Sequence, residues 1–212
     1  ACQVTREGPQ PTSYAQQRMW FLYELEPAGA LYNIPFMLEL KGAPDVSALE
    51  ESLNDLIDRH DSLRTTFDNS GGEPVQIIHP YVYQKLFIDA IEESQSREWS
   101  DFAEHPTIKR EVTRPFDLHE GPLLRMCLFH ITDDHWILVV TMHHIISDGW
   151  SMDVFLDELT TAYTARIRGE DPGLPSLPVR YVDYTQWQHR WLEGQMRDRQ
   201  LAYWREQLGG PL

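Results

Sequence analysis

The chain has 212 residues, 42% of them hydrophobic and 11% aromatic, enough to bury a sizeable core as one large domain or one and a half ordinary ones. Eighteen Lys and Arg stand against 33 Asp and Glu, a formal net charge of −15 at pH 7. Such a balance argues against nucleic acid, whose phosphates need a basic face, and against anionic membrane surfaces. No segment approaches the ~20 apolar residues of a membrane span, and the start of the chain has no charged-then-apolar signal pattern. The expectation is a cytoplasmic α/β protein. Cys127 falls in an apolar strand, far in sequence from Cys2, so a buried reduced thiol is expected rather than a disulfide.

Residues 1–11 read as an extended lead-in. Ser13 and Gln16 have capping-box spacing, a hydroxyl before the helix and an amide three positions on. The helix they open runs through Met19, Trp20 and Tyr23 until Pro27 and Gly29 stop it. Arg18 within it is either a solvated charge or a group pointing inward to hold a loop. Residues 34–40 read as a strand with Pro35 near its start, which suggests an edge. Asp45 can cap a helix whose Val46, Leu49, Leu53, Leu56 and Ile57 recur at spacings of three and four. It leads into Arg59-His60-Asp61-Ser62-Leu63-Arg64-Thr65-Thr66-Phe67 and a hairpin turning at residues 69–72.

A short strand follows at residues 86–90, then a mixed, partly helical region anchored by Trp99 and Phe102. Residues 123–131 and 135–142 read as two strands of a hairpin. Beyond them a helix starting near Ser151 carries Met152, Phe155, Leu156, Leu159, Tyr163 and Ile167 as a buried stripe, with Gly169 as its stop. Four residues of 171–178 are Pro or Gly, a segment that crosses between layers. Residues 179–212 are helical again, anchored by Trp187, Trp191 and Trp204, with Gly194 as an interruption.

Chemistry concentrates at Met142-His143-His144-Ile145-Ile146-Ser147-Asp148-Gly149-Trp150-Ser151, at the mouth of the apolar run Trp136-Ile137-Leu138-Val139-Val140-Thr141. Neighbouring strand residues point to opposite faces, so one imidazole faces a given cavity and the other does not. That weakens a metal reading, since zinc needs three or four converging ligands, and no metal is expected. One working imidazole can accept a proton from a nucleophile or hydrogen-bond to it. Asp148 could take a substrate proton, cap the next helix, or pair with a buried arginine; Arg64 is the favoured partner. Gly149 allows backbone and ligand to approach closely.

These residues resemble the HHxxxDG signature of condensation domains of nonribosomal peptide synthetases, a signature partly shared by epimerisation domains and chloramphenicol acetyltransferases. Residues 13–22 resemble the family's SxAQxRMWxL motif. Residues 59–67 resemble RHExLRTxF, with Asp61 for the usual Glu, and residues 181–187 resemble YxDYAxWQ, with Thr185 for Ala. All four stand in family order. The resemblance implies a chloramphenicol acetyltransferase-like lobe, a mixed β-sheet flanked by helices in an α+β two-layer sandwich. It implies amide formation between donor and acceptor thioesters on phosphopantetheine arms of carrier proteins, with no directly bound cofactor.

Carried over, His144 is the catalytic histidine, as general base or as a group positioning the amine. His143, Asp148, Arg64 and Arg18 are structural, and Gly149, Trp150 and Ser151 line the substrate tunnel. A complete domain is about twice this length, so the chain resembles the N-terminal lobe alone, expected to be inactive by itself and to expose an apolar patch open to self-association. Adjacent synthetase domains and the second lobe are the other implied partners. Competing readings are a coenzyme A-dependent acyltransferase of the same fold and a non-catalytic carrier-docking scaffold. Heterocyclising relatives, with aspartate in place of both histidines, fit less well.

Overall fold

The structure, a computed structural model, describes residues 8–91 and 102–210. It holds two sheets. In the smaller, β1 (Gln10–Pro11), β4 (Glu73–Ile78) and β3 (Thr65–Ser70) pair antiparallel in the order β1-β4-β3. The larger has the order β2-β7-β6-β5, from β2 (Asn33–Lys41), β7 (His135–His143), β6 (Leu124–Thr132) and β5 (Phe87–Ala90). Three of its strands pair antiparallel, and β5 joins β6 in parallel, so the sheet is mixed. β2 lies at an edge, where the missing N–H of Pro35 is tolerated.

The sequence specifies these elements locally. α1 (Tyr14–Leu25) opens on a reciprocal capping box: Ser13 Oγ accepts from the Gln16 N–H, and Gln16 Oε1 accepts from the Ser13 N–H. Asp45 caps α2 (Val46–Arg59) by accepting from the Ala48 N–H. The continuous apolar run of β7 is explained by its central place, flanked by strands on both edges and covered on both faces. On one face Leu53, Leu56 and Ile57 of α2 pack with Leu138 and Val140 of β7 and with Met152, Phe155 and Leu159 of α4 (Gly149–Arg166). On the other, Val139, Ile137 and Phe129 pack with Ile108 of the short α3 (Pro106–Val112). The two-layer expectation therefore describes the α2/α4 side, and α3 adds cover behind it.

α1 lies against the small sheet and the loop after β7, where Met19 and Trp20 cluster with Phe67, Leu118 and Ile145. Trp99 lies outside the described residues; Phe102 packs against the cluster on the α3 side. Cys127, on β6, is a buried free thiol pushed up to about 12 by burial above all, with Glu111 adding to it.

Two expectations about burial are overturned. Trp187 and Trp191 of α5 (Tyr181–Trp191) and Trp204 of α6 (Gln195–Leu208) are not core anchors; each is about half exposed, at 52%, 46% and 53%. α5 buries only Val182 and Thr185, and α6 buries nothing. The indole rings of Trp187 and Trp191 instead stack on each other, centroids 5.7 Å apart. Ile167, placed in the buried stripe of α4, is likewise 51% exposed because the helix has ended at Arg166.

Candidate active site

The loop after β7 separates the two histidines as strand alternation requires. β7 ends at His143, whose N–H bonds Leu123 O, and the His144 N–H bonds Tyr32 O. The His143 ring is buried against Tyr32 and Phe116, and its Nδ1 accepts from the Ile145 N–H. Burial, with a smaller contribution from His144, pushes its pKa down to about 4, so the ring is neutral at physiological pH. His144 is exposed and lines a cavity of about 330 Å³. Its Nδ1 lies 2.7 Å from Ser147 O. A carbonyl can only accept, so Nδ1 carries a proton, and in the neutral ring Nε2 keeps its lone pair. This is the arrangement of an orienting backbone bond behind a basic imidazole nitrogen.

Asp148 does not pair with Arg64. Its Oδ1 accepts from both the N–H and the hydroxyl of Ser151, at 2.8 and 2.6 Å, and so caps α4. Those two bonds, the hydroxyl first, lower its pKa. Arg64 closes a single 3-10 turn (Asp61–Arg64), and the i,i+3 spacing lays its guanidinium on buried Asp61. It also donates to His79 O. Asp61 accepts in turn from Arg180, through both oxygens at 2.7 Å. The aspartate that replaces the usual glutamate thus joins two arginines and ties the turn to the start of α5.

Arg59 and His60, from the same motif, both hold Glu158 of α4, at 3.1 and 2.6 Å. The motif over residues 59–67 is therefore a tie between α2, α4 and α5 rather than a partner for the histidine loop.

The cavity draws its wall from Arg18 and Met19 of α1, His60 and Leu63, the loop from His144 to Asp148, Trp150, Ser151 and Phe155 of α4, and Tyr181 of α5. Arg18 is exposed at its rim, with no ion pair among the described residues. Trp150, 79% exposed, and Ser151 line it, whereas Gly149 does not. A Cβ on Gly149 would meet nothing within 4 Å, so packing does not require glycine there. No group of three or more His, Cys, Asp and Glu side chains able to hold a metal occurs among the described residues. His60 and Tyr181 belong to segments legible as motifs, yet their convergence on the histidine cavity is not. It depends on how residues 171–178 return the chain.

A strand-end imidazole with an unpartnered Nε2, set in a largely apolar cavity beside a capped helix, has the form of a group able to accept a proton. The chain belongs to the condensation domain family: the family model matches residues 6–212. It is 45% identical to a linear gramicidin synthase polypeptide of Brevibacillus parabrevis over 208 residues, 98% of this chain and 3% of that protein. With malpinin synthetase of Mortierella alpina the identity is 40%, over 98% of this chain and 3% of that protein.

Among solved structures, the X-domain in its complex with OxyB from teicoplanin biosynthesis superposes with a TM-score of 0.86 at 31% identity, covering 99% of this chain and 45% of that one. The first condensation domain of the calcium-dependent antibiotic synthetase, with substrate analogue 2a, gives 0.81 at 22% identity, covering 96% and 48%. The fold is that of a chloramphenicol acetyltransferase-like lobe. The chain spans a few per cent of these synthetases and under half of the solved domains. No helix among the described residues is long and apolar enough to cross a membrane.

Proposed function

We propose that this chain supplies the histidine-bearing wall of a site that joins two carrier-bound substrates through an amide bond in nonribosomal peptide synthesis. The observation that carries the reading is His144: Nδ1–H donates to Ser147 O, and Nε2 has no partner among the described residues within the cavity. The acceptor's neutral amine attacks the donor thioester carbon, forming the C–N bond, while His144 Nε2 takes the amine proton or holds it by a hydrogen bond. Collapse of the tetrahedral intermediate breaks the C–S bond. The departing thiolate recovers a proton, which keeps the step in balance. His143 and Asp148 shape the loop, Arg64 braces the Asp61–Arg64 turn, and Trp150 and Ser151 face the substrate path.

Both substrates ride on phosphopantetheine arms of donor and acceptor carrier proteins, and adjacent synthetase domains deliver them. The second lobe, with the opposite wall, lies outside this chain, so the 212 residues alone are inactive, because positioning of both substrates is lost. The test mixes donor- and acceptor-loaded carrier proteins with the two-lobed domain and, separately, with this chain, and follows the acceptor by mass spectrometry. The expected result is a dipeptidyl acceptor with the two-lobed domain only. Product from the chain alone refutes the inactive-lobe claim. No product from the two-lobed domain, with acyl transfer from a coenzyme A ester instead, refutes the amide-forming reading.

A second reading, a scaffold that docks other proteins, draws on the X-domain found in complex with OxyB. It predicts protein binding with no amide formed.

A further inference from the structure

We infer that the Tyr181 hydroxyl is a catalytic hydrogen-bond donor of this site, aimed at the thioester carbonyl oxygen whose charge develops opposite His144. The inference rests on the amide-forming reading above and assigns a second group to the same cavity.

The geometry turns on one hydrogen bond. Tyr181 Oη lies 2.8 Å from Ser13 Oγ, a pair in which either hydroxyl could donate. Ser13 is fully buried, and its Oγ already accepts from the Gln16 N–H as the cap of α1. If Tyr181 donated, the Ser13 proton would be buried with no acceptor among the described residues, an arrangement that folded proteins avoid. Ser13 therefore donates to Tyr181. The phenolic proton is left over, and Tyr181, 39% exposed, lines the cavity that His144 lines. Tyr181 and His144 both line this one cavity of about 330 Å³, so a thioester bound in it can meet both side chains.

Two further observations favour this role over simple helix docking. The phenol stays protonated: burial raises its pKa most, the Ser13 hydrogen bond opposes this in second place, and Tyr184 and then Asp148 add smaller increases. And α5 does not need this bond to stay in place. Arg180 grips Asp61, His189 bonds Thr12 O, Gln188 Oε1 accepts from the Tyr14 N–H, and Val182 and Thr185 are buried. A hydroxyl that is redundant for docking, pre-oriented by a buried serine and carrying an unspent proton in the cavity is what an oxyanion donor requires.

The test is Tyr181→Phe in the two-lobed domain, assayed by single-turnover amide formation between loaded carrier proteins. Rates are expressed per folded molecule, counted by near-UV circular dichroism. The expected result is a fall in kcat of roughly 100-fold, the scale of losing one oxyanion donor. KM for either carrier should stay within about 2-fold, because the ring and its packing remain. An unchanged kcat, or a loss confined to KM, overturns the assignment while leaving the amide-forming reading intact. A wild-type domain that forms no amide overturns that reading, and this inference with it.

Discussion

Between pH 6.5 and 4 acid should loosen this protein in large part through His143, and the size of that contribution follows from its surroundings. The ring is 5% exposed and carries a pKa of about 4, against about 6.5 in an unfolded chain. The folded state therefore resists a proton that the unfolded state accepts. Stability rises with pH wherever the unfolded chain binds more protons. His143 thus adds nothing to pH dependence above about 6.5, and its contribution is lost as pH falls from there toward 4. A gap of about 2.5 units at 1.36 kcal/mol each gives a loss of about 3 kcal/mol across that window.

Carboxylates with lowered pKa, such as Asp148 and Glu50, also weaken the fold in acid, so the wild-type slope alone does not isolate the histidine. The comparison is His143→Asn, whose side-chain oxygen can still accept from the Ile145 N–H but does not titrate. Urea denaturation at half-unit intervals from pH 7.5 to 4.5 measures both. The wild type should lose about 1 kcal/mol per pH unit more than the variant below pH 6. Parallel curves would refute a neutral buried imidazole.

Further expectations concern the ion-pair network and the surface. Asp61→Ala removes the shared partner of Arg64 and Arg180 and should cost about 3 kcal/mol in urea denaturation; a cost under about 1 would show that the turn does not depend on it. Asp148→Ala should cost about 1 kcal/mol as a lost helix cap, and a double-mutant cycle with Arg64→Met should give no coupling. Coupling above about 1 kcal/mol would restore the direct pair. Cys127, buried with its thiol pushed up to about 12, should resist Ellman's reagent in the native chain at pH 8 and react once unfolded. The exposed stack of Trp187 and Trp191 should promote self-association of the chain, and Trp187→Glu with Trp191→Glu should shift sedimentation toward monomer.

Local signals carried much of the fold. The Ser13–Gln16 box, the Asp45 cap, the period of α2 and the apolar run of β7 each depend on neighbours in sequence, and each forms as read. Strand alternation likewise separates a buried His143 from an exposed His144. What sequence spacing could not supply was the pairing of charges. Arg64 and Asp148 had compatible chemistry, but the 3-10 turn put Asp61 within reach of Arg64 first, and Ser151 satisfied Asp148 within its own loop. Tyr181 was legible only as part of a motif, since the contacts that seat α5 at the cavity, His189 to Thr12 and Gln188 to Tyr14, span 177 and 174 residues. The half-exposed tryptophans of α5 and α6 read as core because aromatic spacing does not tell which surface covers them.

The central claim is that His144, with Nδ1 fixed by Ser147 O, handles the amine at the step that forms the amide. The most direct measurement is the single-turnover rate of amide formation by His144→Ala in the two-lobed domain, with both carriers loaded and their binding checked separately. The predicted result is a fall of roughly 10²–10⁴-fold in that rate with carrier binding unchanged. A rate equal to the wild type would contradict the claim and leave His144 a residue of the fold alone.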